Sequence, residues 1–169
     1  MTRPIRPIRI EGDVAYVTLT QGYEAIIDAA DTPLVEGVNW YANVHRNTVY
    51  CVNRSQNETK KTTIRMHRVI MGDPDGFQID HIDGDGLNNR KSNLRLATRS
   101  ENARNRRINK NSTSGLKGAF WVESRKRWRA EIKADGKKIN LGYFNTPEAA
   151  YAAYVAASEK LHGEFARAA

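Results

Sequence analysis

Three polar residues between positions 80 and 102 have the types and spacing to hydrolyse a phosphodiester bond. Asp80 and Asn102 offer oxygen donors of the kind that a hard cation such as Mg²⁺ or Mn²⁺ prefers. His81, if neutral, could take the proton of an attacking water near neutral pH. Such hydrolysis needs an activated water, a cation that stabilises charge on the phosphate, and groups that fix both in line. We therefore expect the three residues to share one pocket.

The elements around these residues have recognisable local signals. We predict a strand, a turn-rich loop, a second strand and a helix that opens with a capping box; in order, these are Gln78–Ile82, Gly84 to Asn89, Ser92–Leu96 and Thr98-x-x-Glu101. This order would bring the end of the first strand close to the first turn of the helix. A regular strand points Asp80 and His81 to opposite faces, so we expect an irregular backbone at that pair.

The segment DHIDGDGLNNRKSNLRLATRSENARN resembles the ββα-metal motif (His-Me finger) of HNH homing endonucleases from phages and introns. The resemblance implies that Asp80 is a metal ligand, that His81 is the general base, and that Asn102 is the second ligand. It also implies that Asn93 braces the hairpin loop and orients the histidine. The third signature position is Asn rather than His, which favours exchangeable Mg²⁺ or Mn²⁺ over tightly bound Zn²⁺.

Upstream of the motif, Met66-His67-Arg68 resembles the strand that precedes the motif in such enzymes. Two interpretations of His67 stay open: it contacts a DNA phosphate, or it packs as a structural histidine, which we favour. The acidic loop does not fit an EF-hand, because counting from Asp80 puts Asp85 and Lys91 where the Gly and the final Glu belong.

Charge is distributed unevenly along the 169 residues, whose formal net charge is +8. Residues 90–138 hold 16 Lys and Arg against 4 acidic residues, whereas residues 1–89 hold 9 against 12. A basic block favours a polyanionic partner, because it attracts phosphates and releases their counterions. Together with the resemblance to HNH homing endonucleases, this charge leads us to predict that the partner is double-stranded DNA.

The single cysteine, Cys51, excludes an internal disulfide and a cysteine-built zinc site. No apolar run is long enough to span a bilayer, and no signal-peptide core follows the basic start. We therefore expect no membrane partner and a cytoplasmic, DNA-associated protein of a bacterial or phage-infected cell.

The rest of the chain predicts an α+β fold with three parts: residues 1–104, a β-rich region plus the nuclease motif (77–106); 105–114, a basic linker; and 115–169, a second domain. Short β-branched runs indicate strands in the first part, near Val14–Leu19, Val49–Asn53 and Thr62–Met66. The second domain is predicted to be a three-stranded antiparallel sheet packed on one helix. Its elements are Lys117–Val122, Arg127–Ala134, Lys137–Phe144 after an Asp135-Gly136 turn, and a helix from Thr146 as N-cap to Gly163 as C-cap.

Alternation along the middle strand places Trp128, Ala130 and Ile132 on one face. Helix residues predicted to pack there are Ala150, Tyr154, Ala157 and Leu161. The opposite, basic face stays open, with a width that suits a DNA groove.

Residues 114–166 resemble the DNA-binding domain of the APETALA/ethylene-response-factor family, with matching marks at Lys117-Gly118, Trp128–Ile132 and Leu141–Phe144. The resemblance implies that six residues face DNA: Lys117, Arg127, Arg129, Lys133, Lys138 and Asn140. Three arginines beside the motif helix would add phosphate contacts: Arg104, Arg106 and Arg107. Ala119 and Phe120 depart from the family pattern, so the family's target sequence is not transferred.

Together these patterns predict a sequence-specific, homing-type DNA endonuclease that nicks or cuts both strands, as a monomer or weak dimer. The alternative is a non-catalytic DNA-binding transcriptional regulator with a decayed nuclease domain. RNA binding stays open as a third interpretation, because a basic surface does not distinguish the two backbones.

Overall fold

Short strands separated by tight turns dominate the computed structural model, which describes residues 4–46, 48–57, 60–104, 112–134 and 136–166. The mixed α+β class expected from the sequence is confirmed. The chain divides into two compact units, Met1–Ala97 and Thr98–Ala169, and each is described by itself. Residues 105–111 of the predicted linker lie outside the described residues. The three-part division at 104 and 114 stays a prediction.

The first unit contains two three-stranded antiparallel sheets and a two-stranded ribbon. The first sheet comprises β1 (Ile8–Glu11), β2 (Val14–Thr18) and β3 (Glu24–Asp28), in that order. After the short helix α1 (Thr32–Val35) come β4 (Tyr41–Val44), β5 (Val49–Asn57) and β6 (Lys60–Arg65), the helix α2 (Met66–Ile70), and the ribbon strands β7 (Gln78–His81) and β8 (Leu94–Ala97).

One apolar core joins these elements. Ile27 of β3, Val35 of α1 and Met66 of α2 are fully buried in it, and Leu94 brings the ribbon into the same cluster. The expectation that Met66-His67-Arg68 is a strand is wrong. The chain turns helical at Met66 because Met66 and Ile70, one helical turn apart, are both buried.

The second unit begins with α3 (Arg99–Arg104), preceded by the predicted capping box. The Thr98 backbone N–H donates to Glu101 Oε2 (2.8 Å), and the Glu101 N–H donates to Thr98 Oγ1 (3.3 Å). The sheet that follows has the order β11-β10-β9, from β9 (Ala119–Val122), β10 (Arg127–Ala134) and β11 (Lys137–Phe144), and the chain continues into α4 (Pro147–His162).

Helix α4 begins as its sequence predicts, with Thr146 Oγ1 accepting from the Ala149 N–H. Its buried residues follow a spacing of four: Ala150, Tyr154, Ser158 and His162. Leu161, predicted to pack on the sheet, is instead 41% exposed. The last buried position belongs to His162, whose Nε2 lies 3.1 Å from the Lys133 carbonyl oxygen of β10. Among the described residues, no helix is long and apolar enough to cross a membrane.

Substitutions at two glycines of the second unit can distinguish the cost of backbone strain from the cost of a steric clash. Gly118 and Gly136 share a φ of +77°, but a Cβ on Gly118 would lie 2.0 Å from the Tyr154 ring, whereas a Cβ on Gly136 meets open space. We expect both Gly118→Ala and Gly136→Ala to show the cost of a left-handed φ, about 1 kcal/mol. Gly118→Ala should lose about 1–3 kcal/mol more, because Tyr154 must move. Urea denaturation measures the difference, and equal losses would contradict the packing argument.

Candidate active site

The ribbon places Asp80 and His81 on opposite faces. Strands β7 and β8 pair in an unbroken antiparallel register, with Asp80 opposite Arg95 and His81 opposite Leu94. The irregular backbone expected at Asp80-His81 is therefore absent, and that prediction is wrong. Both side chains are nonetheless buried, at 5% exposure each. Burial on both faces is possible because Asp80 has a charged partner and His81 lies against other rings.

His81 lies in a cluster of aromatic rings. Its ring centroid is 5.0 Å from that of His67, edge to face, and 5.9 Å from that of Tyr50. His81 Nε2 lies 3.4 Å from Asn89 Oδ1. Burial lowers the pKa of His81 below the ordinary value of 6.5, although Asn89 and nearby carboxylates oppose the shift. The imidazole is therefore neutral near pH 7 and can accept a proton.

His67 packs beside His81 at the start of α2 and is 7% exposed. Burial, followed by the nearby His81, lowers the pKa of His67 to about 3. Its Nδ1 is buried without a hydrogen-bond partner among the described residues. This environment fits the structural interpretation of His67, because an uncharged ring can pack in a core where a cation cannot.

Asp80 forms an ion pair that the sequence does not predict. Arg95 Nε and Nη2 donate to Asp80 Oδ2 at 2.9 and 2.8 Å, and both side chains are largely buried. The pairing follows from the register, since residues directly opposite each other on neighbouring strands project from the same face. The guanidinium therefore compensates the charge of the buried carboxylate.

Asn93 closes the loop between the two ribbon strands. Its Oδ1 accepts from the Asp83 N–H (3.1 Å), while its Nδ2 donates to Asp83 Oδ1 (2.9 Å) and to the Asn88 carbonyl oxygen (2.8 Å). Burial would raise the pKa of Asp83, but hydrogen bonds from Asp85, Asn88 and Asn93 lower it on balance. The loop also brings Asn89 Oδ1 to within 3.4 Å of His81 Nε2.

Strands β3 and β5 hold the same loop from outside. The Ile26 N–H donates to the Leu87 carbonyl oxygen (2.9 Å), and the Asn89 N–H donates to the Ile26 carbonyl oxygen (2.7 Å). From β5, Cys51 Sγ receives a contact from Asn89 Nδ2 at 3.7 Å. These partners are separated by 38 to 63 positions in the sequence, so no local pattern singles out Asn89 or its supports.

The two residues that the sequence predicts as metal ligands are oxygen donors, a type that would suit a hard cation better than zinc. Asp80 is a carboxylate and Asn102 an amide, whereas a closed zinc site needs several sulfur or nitrogen ligands. Within the described residues, no group of three or more His, Cys, Asp or Glu side chains could hold a metal ion. Water and substrate oxygens would therefore have to complete the coordination.

Comparison with known proteins shows which family the chain belongs to. A family model described as HNH endonuclease matches residues 72–104. Protein 3.8 of Escherichia phage T7 is 45% identical over 94 residues, covering 56% of this chain and 77% of that protein. A protein named Uncharacterized HNH endonuclease L560, from Acanthamoeba polyphaga mimivirus, is 31% identical over 157 residues, covering 90% of this chain and 80% of its own. The chain belongs to the HNH endonuclease family.

The HNH match spans all four signature residues, Asp80, His81, Asn93 and Asn102. Asn102 is the fourth of the six residues of α3, where its N–H donates to the Thr98 carbonyl oxygen (3.0 Å). Helix α3 belongs to the second unit and Asp80 to the first. That Asn102 shares a pocket with Asp80 therefore stays a prediction. No solved structure matches the chain.

The residues expected to contact DNA lie largely on one sheet face of the second unit. Lys133 and Lys138 are exposed cross-strand partners, and Arg127 is exposed at the start of β10. Glu131 accepts from Arg129 Nη2 (2.9 Å) and from Lys138 Nζ (3.3 Å) on this face.

The other predicted contacts differ in their surroundings. Asn140 is exposed, and its Oδ1 accepts from the Gly142 N–H (3.0 Å). Lys117 lines a cavity of about 590 Å³ together with Lys133 and Arg99. Arg106 and Arg107, like the side chain of Arg104, lie outside the described residues.

Removing Arg95 should test the buried ion pair. We expect Arg95→Leu to lower the free energy of unfolding by about 3 kcal/mol, because it leaves a buried carboxylate without its cation. The double variant Asp80→Asn/Arg95→Leu should recover part of that loss. Arg9→Leu is the control, because Arg9 pairs with Glu11 and Glu24 at the exposed surface. Equal destabilisation of the two single variants in urea would contradict the assignment.

The buried His67 should make stability depend on pH. The folded state holds His67 neutral down to about pH 3, whereas the unfolded chain takes up the proton near pH 6.5. Its contribution is therefore complete above about pH 6.5 and is lost as the pH falls towards 3. Below about pH 6 the loss approaches 1.4 kcal/mol per pH unit for one proton. We expect His67→Phe to make the slope of unfolding free energy against pH shallower by about one proton; an unchanged slope would refute this.

Proposed function

We propose that the protein is a sequence-specific DNA endonuclease of homing type, using one divalent metal and His81 as the general base. The observation that carries this proposal is a buried, neutral histidine next to a buried carboxylate inside the segment matched by the HNH family. A neutral imidazole in a water-poor setting suits proton abstraction near pH 7. Whether one strand or both are cut depends on whether the protein acts as a monomer or a weak dimer.

The reaction begins with a water molecule that attacks the phosphorus. One of its protons passes to the imidazole nitrogen of His81 that carries no hydrogen, while the bond from phosphorus to the leaving sugar oxygen breaks and that oxygen takes up a proton from solvent water. His81 can serve only if its ring keeps one orientation, since a base must lie within hydrogen-bond reach of the proton. Asn93 contributes by closing the loop that follows His81.

Asp80 and Asn102 are the proposed ligands of Mg²⁺ or Mn²⁺. The metal would supply positive charge to the phosphate and the leaving oxygen. Arg95 holds the Asp80 carboxylate at Oδ2. A carboxylate and an amide leave most coordination positions for water and DNA, so we expect metal binding to be weak without substrate.

The second unit is proposed to hold double-stranded DNA with the open face of its sheet. Arg127, Lys133 and Lys138 supply exposed positive charge there, and Glu131 fixes Arg129 in place through an ion pair. Contacts from Lys117 and Asn140 would extend the surface. Those from Arg104, Arg106 and Arg107 would bind phosphates beside the motif helix. We propose on this basis that the second unit is an ethylene-response-factor-type DNA-binding domain.

A second candidate is the non-catalytic DNA-binding regulator. The observation that favours it is the ion pair between Asp80 and Arg95. A carboxylate whose negative charge is already balanced by a guanidinium attracts a metal cation less strongly. In this case the second unit would be the working part, and the first would keep only its fold. The two candidates differ in whether DNA is cut after it is bound.

A plasmid-cleavage assay distinguishes the endonuclease from the non-catalytic regulator. Supercoiled plasmids carrying candidate sites, including the DNA flanking the gene, are incubated with the protein and Mg²⁺ or Mn²⁺, with EDTA as the metal-free arm. We expect nicking or linearisation that EDTA abolishes. His81→Ala should reduce cutting by about 10²-fold or more, because proton transfer to a positioned base contributes that much. Asn102→Ala should also lose cutting, and both variants should still retard DNA in gels.

The matched control is His45→Ala. His45 is an exposed histidine of the same unit, with its ring 5.7 Å from Tyr50 and its Nε2 bonded to Asn43. We expect it to cut normally. Parent protein that binds these DNAs but cuts none of them with either metal would favour the regulator instead.

A further inference from the structure

Asn89 is a fully buried amide whose orientation its neighbours dictate. Its Nδ2 lies 3.0 Å from the Leu87 carbonyl oxygen and 3.4 Å from the Gly86 carbonyl oxygen, and contacts Cys51 Sγ at 3.7 Å. Carbonyl oxygens accept hydrogen bonds and cannot donate them. The nitrogen of the amide must therefore face this side, because the reverse orientation would place oxygen against oxygen.

The other end of the amide then determines the tautomer of His81. Asn89 Oδ1 faces His81 Nε2 at 3.4 Å, and an amide oxygen can only accept. In the neutral ring Nε2 must carry the hydrogen, which leaves the lone pair on Nδ1. The accepting nitrogen of the base is thereby selected by a side chain of the loop.

Tyr50 fixes the same histidine by packing. Its ring lies 5.9 Å from the rings of both His67 and His81. On the loop side, a Cβ on Gly86 would lie 2.6 Å from Tyr50 Cδ1, so the loop backbone lies directly on the tyrosine ring. The Gly86 N–H also donates to Thr48 Oγ1 at 2.9 Å. Strand β5 thus holds the loop and the histidine in one packed arrangement.

We propose that Asn89 and Tyr50 are positioning residues for the nuclease reaction: Asn89 selects the Nε2–H tautomer of His81, and Tyr50 fixes the orientation of its ring. This inference rests on the proposed function of His81 as the general base. It assigns the orientation of the histidine to Asn89, while Asn93 braces the loop. Neither residue touches the reacting atoms in this scheme.

The first test reads the tautomer without any cleavage assay. Long-range ¹H–¹⁵N correlation spectra of the full chain at neutral pH distinguish a protonated Nε2 from a protonated Nδ1, and the His81 signals are assigned by their loss in His81→Asn. We expect the Nε2–H form in the parent protein. A dominant Nδ1–H form of His81 would overturn the inference, whether or not the protein cuts DNA.

The second test separates positioning from folding. In Asn89→Leu that remains folded, we expect a mixed tautomer and a kcat lower by about 10- to 100-fold, with KM for DNA changed by less than about twofold. The matched control is Asn43→Leu, because Asn43 Nδ2 lies 3.1 Å from the exposed His45 Nε2. It should leave the His81 tautomer and kcat unchanged. A folded Asn89→Leu with the kcat of the parent would overturn the role of Asn89.

Tyr50 variants complete the test and do not depend on Asn89. Tyr50→Phe keeps the ring and should keep kcat, whereas Tyr50→Leu should lower kcat at similar KM and shift the His81 ring-proton resonances. Equal kcat in Tyr50→Leu and Tyr50→Phe would overturn the role of Tyr50. If instead His81→Ala cuts normally, the proposed function fails, and the tautomer measurement still decides whether Asn89 selects the nitrogen.

Discussion

The loop between β7 and β8 carries polar groups into the interior, and the site depends on how they are satisfied. Buried amides and carbonyls need hydrogen-bond partners, since each group left without one costs about 1–3 kcal/mol. The carboxamide of Asn89, at 0% exposure, obtains its partners from the loop itself, from Cys51 and from His81. Its backbone N–H obtains one from Ile26 of β3. One buried residue therefore ties the loop, two sheets and the histidine together.

This constraint explains why the N-terminal β-rich region and the β7–β8 ribbon belong to one compact unit. The loop could not keep its conformation alone, because its outer partners, Ile26 and Thr48, lie in strands and turns far away in sequence. Arg90 extends the attachment by donating to Asp28 Oδ1 (2.7 Å) at the end of β3. Removing the two three-stranded sheets would leave polar groups throughout the loop without their hydrogen-bond partners. The sheets thus support the loop and the histidine through contacts, among them those of Tyr50 and Cys51 of β5.

Local signals in the sequence were sufficient to predict the elements that are stabilised by interactions between neighbouring residues. The capping box at Thr98 and Glu101, the β10–β11 hairpin and the Thr146 cap all depend on residues within a few positions of one another. The errors at Met66 and Leu161 arose where tertiary burial decides the outcome, because helix or strand patterning does not reveal which face meets the core.

The parts of the site that could not be predicted depend on pairings between distant positions. Arg95 reaches Asp80 only because the register of β7 and β8 places them opposite each other, and a shift by one residue would pair different side chains. Tyr50 and His67 reach His81 through packing that involves three elements. Nothing in the spacing of these residues along the chain encodes such contacts.

The uneven charge along the chain has two different structural uses. In the first unit, carboxylates serve largely as internal partners: Asp28 and Asp13 pair with Arg90, Asp31 pairs with Lys91, and Asp80 pairs with Arg95. These cations belong to the basic block by position, yet their charge is compensated within the fold. On the sheet of the second unit, Glu131 contacts both Arg129 and Lys138, while Arg127 and Lys133 remain exposed. A count of charges along the sequence therefore overstates the positive potential near the loop and describes the sheet face better, because attraction of a polyanion depends on charge that the protein has not already paired.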